Sequence, residues 1–310
     1  MPSTRRRLVK MNYAEAAGRC KSVVRVWCTW LAVGLFAATG VNAQVNGVGQ
    51  KPYLGWSTFS EQAIDGSFLT QANIQAQSDA LHGSGLQEHG FKYINIDSGW
   101  QGGFDGNGRP IPNTTTFPDV KALVDHIHAN GQKAGIYWIP GIEQPAVDGN
   151  YPVLGTQYHT QDIVVTPHVP GNSFSAGQTN PYHIKIDFTK PGAQDYINSV
   201  VNLFAFWGID FIKLDGVTPG SYVDNLSIDS RPDVEAWSKA IAQSGRPIWL
   251  TVSWRLDQDY LSTWQQYVRV AQFPSHSTSS SMRRAFACRN CSTCVVSAPS
   301  IGKTCVLASK

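Results

Sequence analysis

The sequence predicts an α/β fold whose strands lie parallel in one sheet, and three observations predict it. Short apolar runs alternate with helix-period stretches along residues 53–271, the spacing of repeated strand–helix units. The runs are apolar at neighbouring positions, as strands covered on both faces are. Asp97, Trp138, Asp215 and Ser253 each close one of the runs, and in a (β/α)8 barrel the C-terminal strand ends build the site. The predicted architecture is a TIM-type (β/α)8 barrel holding five strands and a possible sixth, hence incomplete.

Each element has its own signal. The first strand is expected over residues 53–58, followed by an amphipathic stretch over 68–86. Tyr93-Ile94-Asn95-Ile96-Asp97 is the second strand, and a loop and a helix over 118–130 follow it. The third strand covers 133–138 and leads into a long irregular region reaching residue 181. An extended piece over 183–188 precedes a helix beginning at Pro191, since proline suits a first helical position. That helix runs to Trp207, and Gly208 turns the chain into a fourth strand at 209–215. A helix over 231–244 ends at Gly245, a residue type that caps helices in the left-handed conformation. A fifth strand over 248–253, a helix over 260–267 and the start of a sixth strand at 268–271 complete the pattern.

The chain of 310 residues carries a formal charge of +3, which splits unevenly. Residues 1–43 hold seven basic and one acidic residue, residues 44–273 thirteen basic and twenty-one acidic, and residues 274–310 five basic and none acidic. The body is therefore acidic, which disfavours a nucleic-acid partner because phosphate contacts need a basic patch. Residues 1–43 read as an export signal: a basic region, an apolar stretch from about Val26 to Val41, and the small-residue ending Val41-Asn42-Ala43. The stretch is shorter than the roughly 20 residues a spanning helix needs, so the expected location is secreted or periplasmic, with no stable membrane insertion after cleavage. The globular part, residues 44–272, contains no cysteine. All six cysteines lie outside it, at Cys20, Cys28, Cys288, Cys291, Cys294 and Cys305. The tail over 273–310 shows neither strand nor helix period and reads as disordered or as a translated wrong frame. Its cysteines also suit zinc or an iron–sulfur cluster, although their spacing is not that of two close pairs. No cofactor or metal is expected for the body.

The chemistry concentrates at the strand ends. In Phe211-Ile212-Lys213-Leu214-Asp215, side chains alternate faces, so Lys213 and Asp215 point the same way. An ammonium beside a carboxylate favours the ionised form, and an ionised, partly desolvated carboxylate is suited to attack an anomeric carbon. A purely structural ion pair is the alternative. Asn95 and Asp97 likewise share a face, with Trp100 close behind. Carboxylates accept hydrogen bonds from sugar hydroxyls, and Trp offers a flat apolar ring. Trp56, ending the first strand, offers the same, with core packing as the alternative for any single Trp.

Five collinear blocks resemble glycoside hydrolase family 27, the melibiase-type α-galactosidases. Lys51-Pro52-Tyr53-Leu54-Gly55-Trp56-Ser57-Thr58 is similar to the family's Pro-x-x-Gly-Trp-Asn-Ser-Trp opening. Tyr93-Ile94-Asn95-Ile96-Asp97-Ser98-Gly99-Trp100 is similar to its Tyr-x-x-Ile-Asp-Asp-x-Trp segment. Phe104–Pro110 with Phe117-Pro118 resembles the following loop, Gly131–Tyr137 the third strand, and Trp207–Asp215 the strand that carries the nucleophile. The resemblance implies retaining hydrolysis of an α-glycoside, typically an α-galactoside. Asp215 would be the nucleophile, Trp56, Asp97 and Lys213 would contact the glycone, and Trp254 and Arg255 would recognise the 2-position. Ser98 stands where the family has a second Asp, and Gly216-Val217 where a Cys commonly follows the nucleophile.

The acid/base residue is the open position. The family's Arg-x-x-x-Asp pattern fits Arg255-Leu256-Asp257-Gln258-Asp259, making Asp259 a candidate, although it comes early for the family's layout. By position, Arg269-Val270-Ala271-Gln272-Phe273 fits better, with Phe273 in place of Asp. On that alignment the gene or its frame departs from the family there, the family's C-terminal β-domain is missing, and the chain is an inactive carbohydrate-binding remnant.

Overall fold

The structure, a computed structural model, describes residues 47–49, 52–178, 182–252 and 255–268. The expected export signal, the cysteine-bearing tail, Ser253, Trp254 and the Arg269–Phe273 segment lie outside these residues.

Five parallel strands form the central sheet: β1 Leu54–Ser57, β2 Phe91–Ile96, β5 Lys133–Trp138, β8 Phe211–Leu214 and β9 Trp249–Val252, in that spatial order. Between them run the one-turn helix α1 Phe59–Gln62, then α2 Gln71–Gly83, α3 Val120–Ala129, α4 Gln144–Asp148, α5 Ala193–Trp207 and α6 Arg231–Gln243, and α7 Leu261–Tyr267 follows β9. The arrangement is the parallel α/β sheet of a partial barrel, and no closed barrel forms among the described residues. Val268 caps α7 in extended conformation, and the remainder of the expected sixth strand falls outside the described residues.

Local chemistry accounts for the helices. In α3, Asp119 accepts a hydrogen bond from the Ala122 N–H at 2.9 Å, and Val120, Leu123, Val124 and Ile127 form the buried stripe. Such spacing keeps apolar groups on one helical face. Thr70 caps α2 through the Asn73 N–H. Element ends shift by a few residues from the expected ones, and two shifts are informative. The helix expected from Pro191 begins at Ala193, because Gly192 takes the N-cap place with φ +89°. The strand expected over 183–188 shrinks to β7 His183–Ile184, which pairs antiparallel with β6 Ile142–Glu143. The loop after β2 holds a hairpin, β3 Gln101–Phe104 with β4 Pro110–Pro112.

Strand alternation divides the sheet into two faces. Ile94, Ile96, Ala134, Ile136, Trp138, Ile212, Leu214 and Leu250 face the helices and are each at most 2% exposed. The opposite face carries Tyr93, Asn95, Gly135, Tyr137, Phe211, Lys213 and Trp249 in register across four strands. Near its N-terminal edge Tyr53, Tyr93, Phe211 and Trp249 pack ring to ring at 4.7–6.1 Å between centroids. Below that layer Asp210 accepts from the Ala134 N–H and pairs with Arg246 and His128 at 2.7–3.0 Å, tying β8 to its neighbours.

Candidate active site

The inner face ends in a charged cluster. Lys213 Nζ stands 2.9 Å from Asp97 Oδ2 and 3.3 Å from Asp215 Oδ2. Asp97 is 3% exposed and Asp215 8%, so three charges share a nearly closed site at the ends of β2 and β8. The second carboxylate oxygens are also engaged: Ser98 N–H donates to Asp97 Oδ1 and Gly216 N–H to Asp215 Oδ1, each at 2.9 Å. Burial alone lowers the pKa of a lysine, but the Asp215 and Asp97 carboxylates outweigh it and hold the Lys213 ammonium above its ordinary value. The cluster therefore retains a cation that neutralises about one of two neighbouring negative charges.

Neighbouring elements hold this cluster in place. Thr58, fully buried after β1, donates its hydroxyl to Gln62 Oε1 at 2.6 Å and accepts the Asp97 N–H at 2.8 Å. Gln62 Nε2 reaches the Ser98 carbonyl at 2.8 Å. This turn brings the Phe59 ring to 5.7 Å from Lys213 Nζ, while the Tyr137 ring lies at 5.2 Å. Both contacts favour the ammonium through the negative face of the ring. Asn95 fits beside Asp97 because Gly135 on β5 has no side chain: a Cβ there would stand 2.0 Å from Asn95 Oδ1. Thr58, Phe59 and Tyr137 were not among the sequence candidates. The signal for Tyr137 is its register, since it lies directly across from Lys213.

The other candidates fall elsewhere. Trp100 is 1% exposed, its indole N–H donates to the Tyr137 carbonyl at 3.0 Å, and its rings pack against Trp138, Phe204 and Trp207. It presents no open ring face. Trp56 pairs in register with Ile94, on the face opposite Asn95 and Asp97, and packs edge-on against Phe68 at 4% exposure. Trp138, which also closes a strand, joins the same helix-side aromatic core. Arg255 is exposed, ion-paired to Asp224, with its guanidinium 5.9 Å from the Tyr222 ring. Asp259 is exposed in the 3-10 turn Gln258–Tyr260, where its N–H donates to Asp257 Oδ1 at 3.0 Å. Trp254 lies outside the described residues. The structure thus brings together Asp97, Lys213 and Asp215, and places Trp56, Trp100, Arg255 and Asp259 in other surroundings.

Comparison with known proteins adds to this geometry. The family model for the glycosyl hydrolases family 31 TIM-barrel domain matches residues 87–293. Alpha-galactosidase 3 of Hypocrea jecorina is 34% identical over 257 residues, 81% of this chain and 36% of that protein. The alpha-galactosidase of Cyamopsis tetragonoloba is 25% identical over 73% of this chain and 47% of its own length. Among solved structures, the GH27 β-L-arabinopyranosidase from Geobacillus stearothermophilus, in complex with arabinose, aligns with a TM-score of 0.61 at 26% identity. That alignment covers 71% of this chain and 52% of that one. The chain spans about a third to a half of the length of these relatives.

Proposed function

The chain belongs to the family described as the glycosyl hydrolases family 31 TIM-barrel domain, and from its likeness to α-galactosidases and to a GH27 enzyme we propose that it is of the melibiase type and hydrolyses α-galactosides or related α-glycosides with retention, using Asp215 as nucleophile. The observation that carries this reading is the cluster in which Lys213 Nζ lies 2.9 Å from Asp97 and 3.3 Å from Asp215. One carboxylate and the ammonium hold sugar hydroxyls, and the other carboxylate attacks. In the first step an Asp215 oxygen bonds to the anomeric carbon as the glycosidic C–O bond breaks, and an acid protonates the leaving oxygen. In the second step water, deprotonated by the same residue, displaces Asp215. Asp259 is the candidate for that acid/base role, for which a retaining enzyme needs its carboxyl about 5–5.5 Å from the nucleophile. Residues 1–43 serve as an export signal in this reading, so the reaction takes place outside the cytoplasm.

The glycone is left broader than galactose for two reasons. Ser98 stands in place of one family carboxylate, and the similar proteins include an α-galactosidase and a β-L-arabinopyranosidase. Those two glycones share their ring hydroxyl arrangement and differ by the hydroxymethyl group at the ring's end. A second reading, sugar binding without turnover, is favoured by the exposed position of Asp259. Turnover of chromogenic α-galactoside and β-L-arabinopyranoside separates the two. Hydrolysis by the parent chain, its loss in Asp215→Ala and azide acceleration of Asp259→Ala support the enzyme. Sugar binding without hydrolysis supports the remnant, and neither binding nor hydrolysis defeats both readings.

A further inference from the structure

We propose that Gln62, whose side chain bonds Thr58 and the Ser98 carbonyl rather than any of the three charged groups, is a positioning residue of the sugar site and sets the direction of Asp97 through Thr58. The inference rests on the sugar-binding part of the proposed function, which both of its readings share. Thr58 stands at the N-cap of α1. A threonine there ordinarily turns its hydroxyl oxygen to an N–H in the first turn of its own helix. Thr58 makes no such bond. Its hydroxyl donates to Gln62 Oε1 at 2.6 Å and accepts the Asp97 N–H at 2.8 Å instead. The helix gives up its cap, and the oxygen serves the neighbouring strand.

The backbone served in this way is where β2 runs out of ladder. The register between β1 and β2 ends at Ser57 and Asn95, and Thr58 N–H still donates to the Asn95 carbonyl at 3.0 Å. Strand β2 stops at Ile96, so the Asp97 N–H and the Ser98 carbonyl lie past it, and backbone groups withdrawn from water need other partners. Thr58 Oγ supplies the first and Gln62 Nε2, at 2.8 Å, the second. The polarity of the chain of bonds is fixed. The Ser98 carbonyl only accepts, so the Gln62 amide turns its nitrogen to it and its oxygen to Thr58. The single hydroxyl proton of Thr58 then goes to Gln62, which leaves lone pairs for the Asp97 N–H. Asp97 is thus held on both sides along the chain, and its carboxylate reaches Lys213 Nζ at 2.9 Å and the Ser98 N–H at 2.9 Å. A carboxylate that meets sugar hydroxyls must be held to within about 0.5 Å by such supporting bonds.

Calorimetric titration of the full chain with galactose and with L-arabinose tests this. The variants are Thr58→Val, Thr58→Ser, Gln62→Met, Thr58→Val with Gln62→Met, and Asp97→Asn, with thermal melts to confirm folding. The expected result is an affinity about three- to tenfold weaker in Thr58→Val and in Gln62→Met, the scale of one lost hydrogen bond, and recovery in Thr58→Ser. The double variant should lose no more than either single one, the mark of groups that act as one unit. Thr58 is fully buried and Gln62 is not, so Gln62→Met carries the test if Thr58→Val does not fold. Parent-like affinity in folded Gln62→Met, with binding lost in Asp97→Asn, overturns the positioning role and leaves the proposed function standing. Losses that add in the double variant overturn the route through Thr58. A parent chain that binds neither sugar overturns the positioning role and the proposed function together.

Discussion

On the helix-facing side of the sheet, Ile94, Ile96, Ile136, Ile212 and Leu214 are at most 2% exposed and touch other apolar side chains. On the inner side the same strands carry Asn95, Asp97, Tyr137, Lys213 and Asp215, two of them carboxylates sharing one ammonium. Each outer residue stabilises the fold in proportion to the area it hides. The inner charges lose hydration and regain polar partners through each other and the Ser98 and Gly216 N–H groups, so their net contribution to stability is small. One residue of register decides which role a side chain has. Trp56 and Ser57 are neighbours, yet Trp56 pairs with Ile94 and Ser57 with Asn95.

Substitutions that break this division should differ in kind as well as size. The largest stability loss is expected from Trp237→Ala, since Trp237 is fully buried on the helix side: about 3–5 kcal/mol in chemical denaturation, with sugar affinity of the remaining folded protein unchanged. Lys213→Met should cost about 3 kcal/mol by leaving two close carboxylates without their cation, and should abolish sugar binding. Adding Asp97→Asn should return part of that stability and none of the binding. If Lys213→Met bound sugar as the parent does, the inner face would be a structural ion pair only.

A smaller effect concerns pH. Asp233 is fully buried on α6, with Oδ1 accepting the Gly141 N–H at 3.1 Å. Burial pushes its carboxyl up to about 7 from 3.8, with Lys185 opposing. The folded state holds a proton that the unfolded chain has released, so this contribution is present below pH 3.8 and is lost as pH rises to about 7. Burial pushes the His183 imidazole down from 6.5 to about 3. Its contribution is present above pH 6.5 and is lost as pH falls towards 3. The two slopes oppose each other between about pH 4 and 6.5. Melting temperature in that window should rise more steeply with pH in Asp233→Asn than in the parent, and fall with pH in His183→Gln. Parallel profiles for all three proteins would remove both groups from the account. The smallest effect is expected from Lys121→Ala, whose exposed partner Asp125 lies one helical turn away at 2.7 Å: at most about 0.5 kcal/mol.

Much of this fold was legible because strands and helices bury faces with different periods. The third strand was expected over 133–138 and β5 occupies Lys133–Trp138. The alternation through Lys213 and Asp215 placed both side chains in one cluster, as found. What escaped was set by contacts distant in sequence. The β3–β4 hairpin contains Gly102, Gly103, Pro110 and Pro112, residue types that erase a strand's alternating signature. Strands β6 and β7 have two residues each, too few to show any period. Trp100 read as a sugar contact from its residue type, and only the arrival of Phe204 and Trp207 on α5 makes it a core residue.

The role of Asp215 is tested most directly by trapping. The chain is incubated with an activated 2-deoxy-2,2-difluoro-α-galactoside, whose fluorines slow the release of a covalent sugar, and the digest is mapped by mass spectrometry. The account predicts one added glycosyl group, located on Asp215 and absent from Asp215→Ala. An adduct on another residue, or none on a protein that turns over the chromogenic substrate, would contradict it.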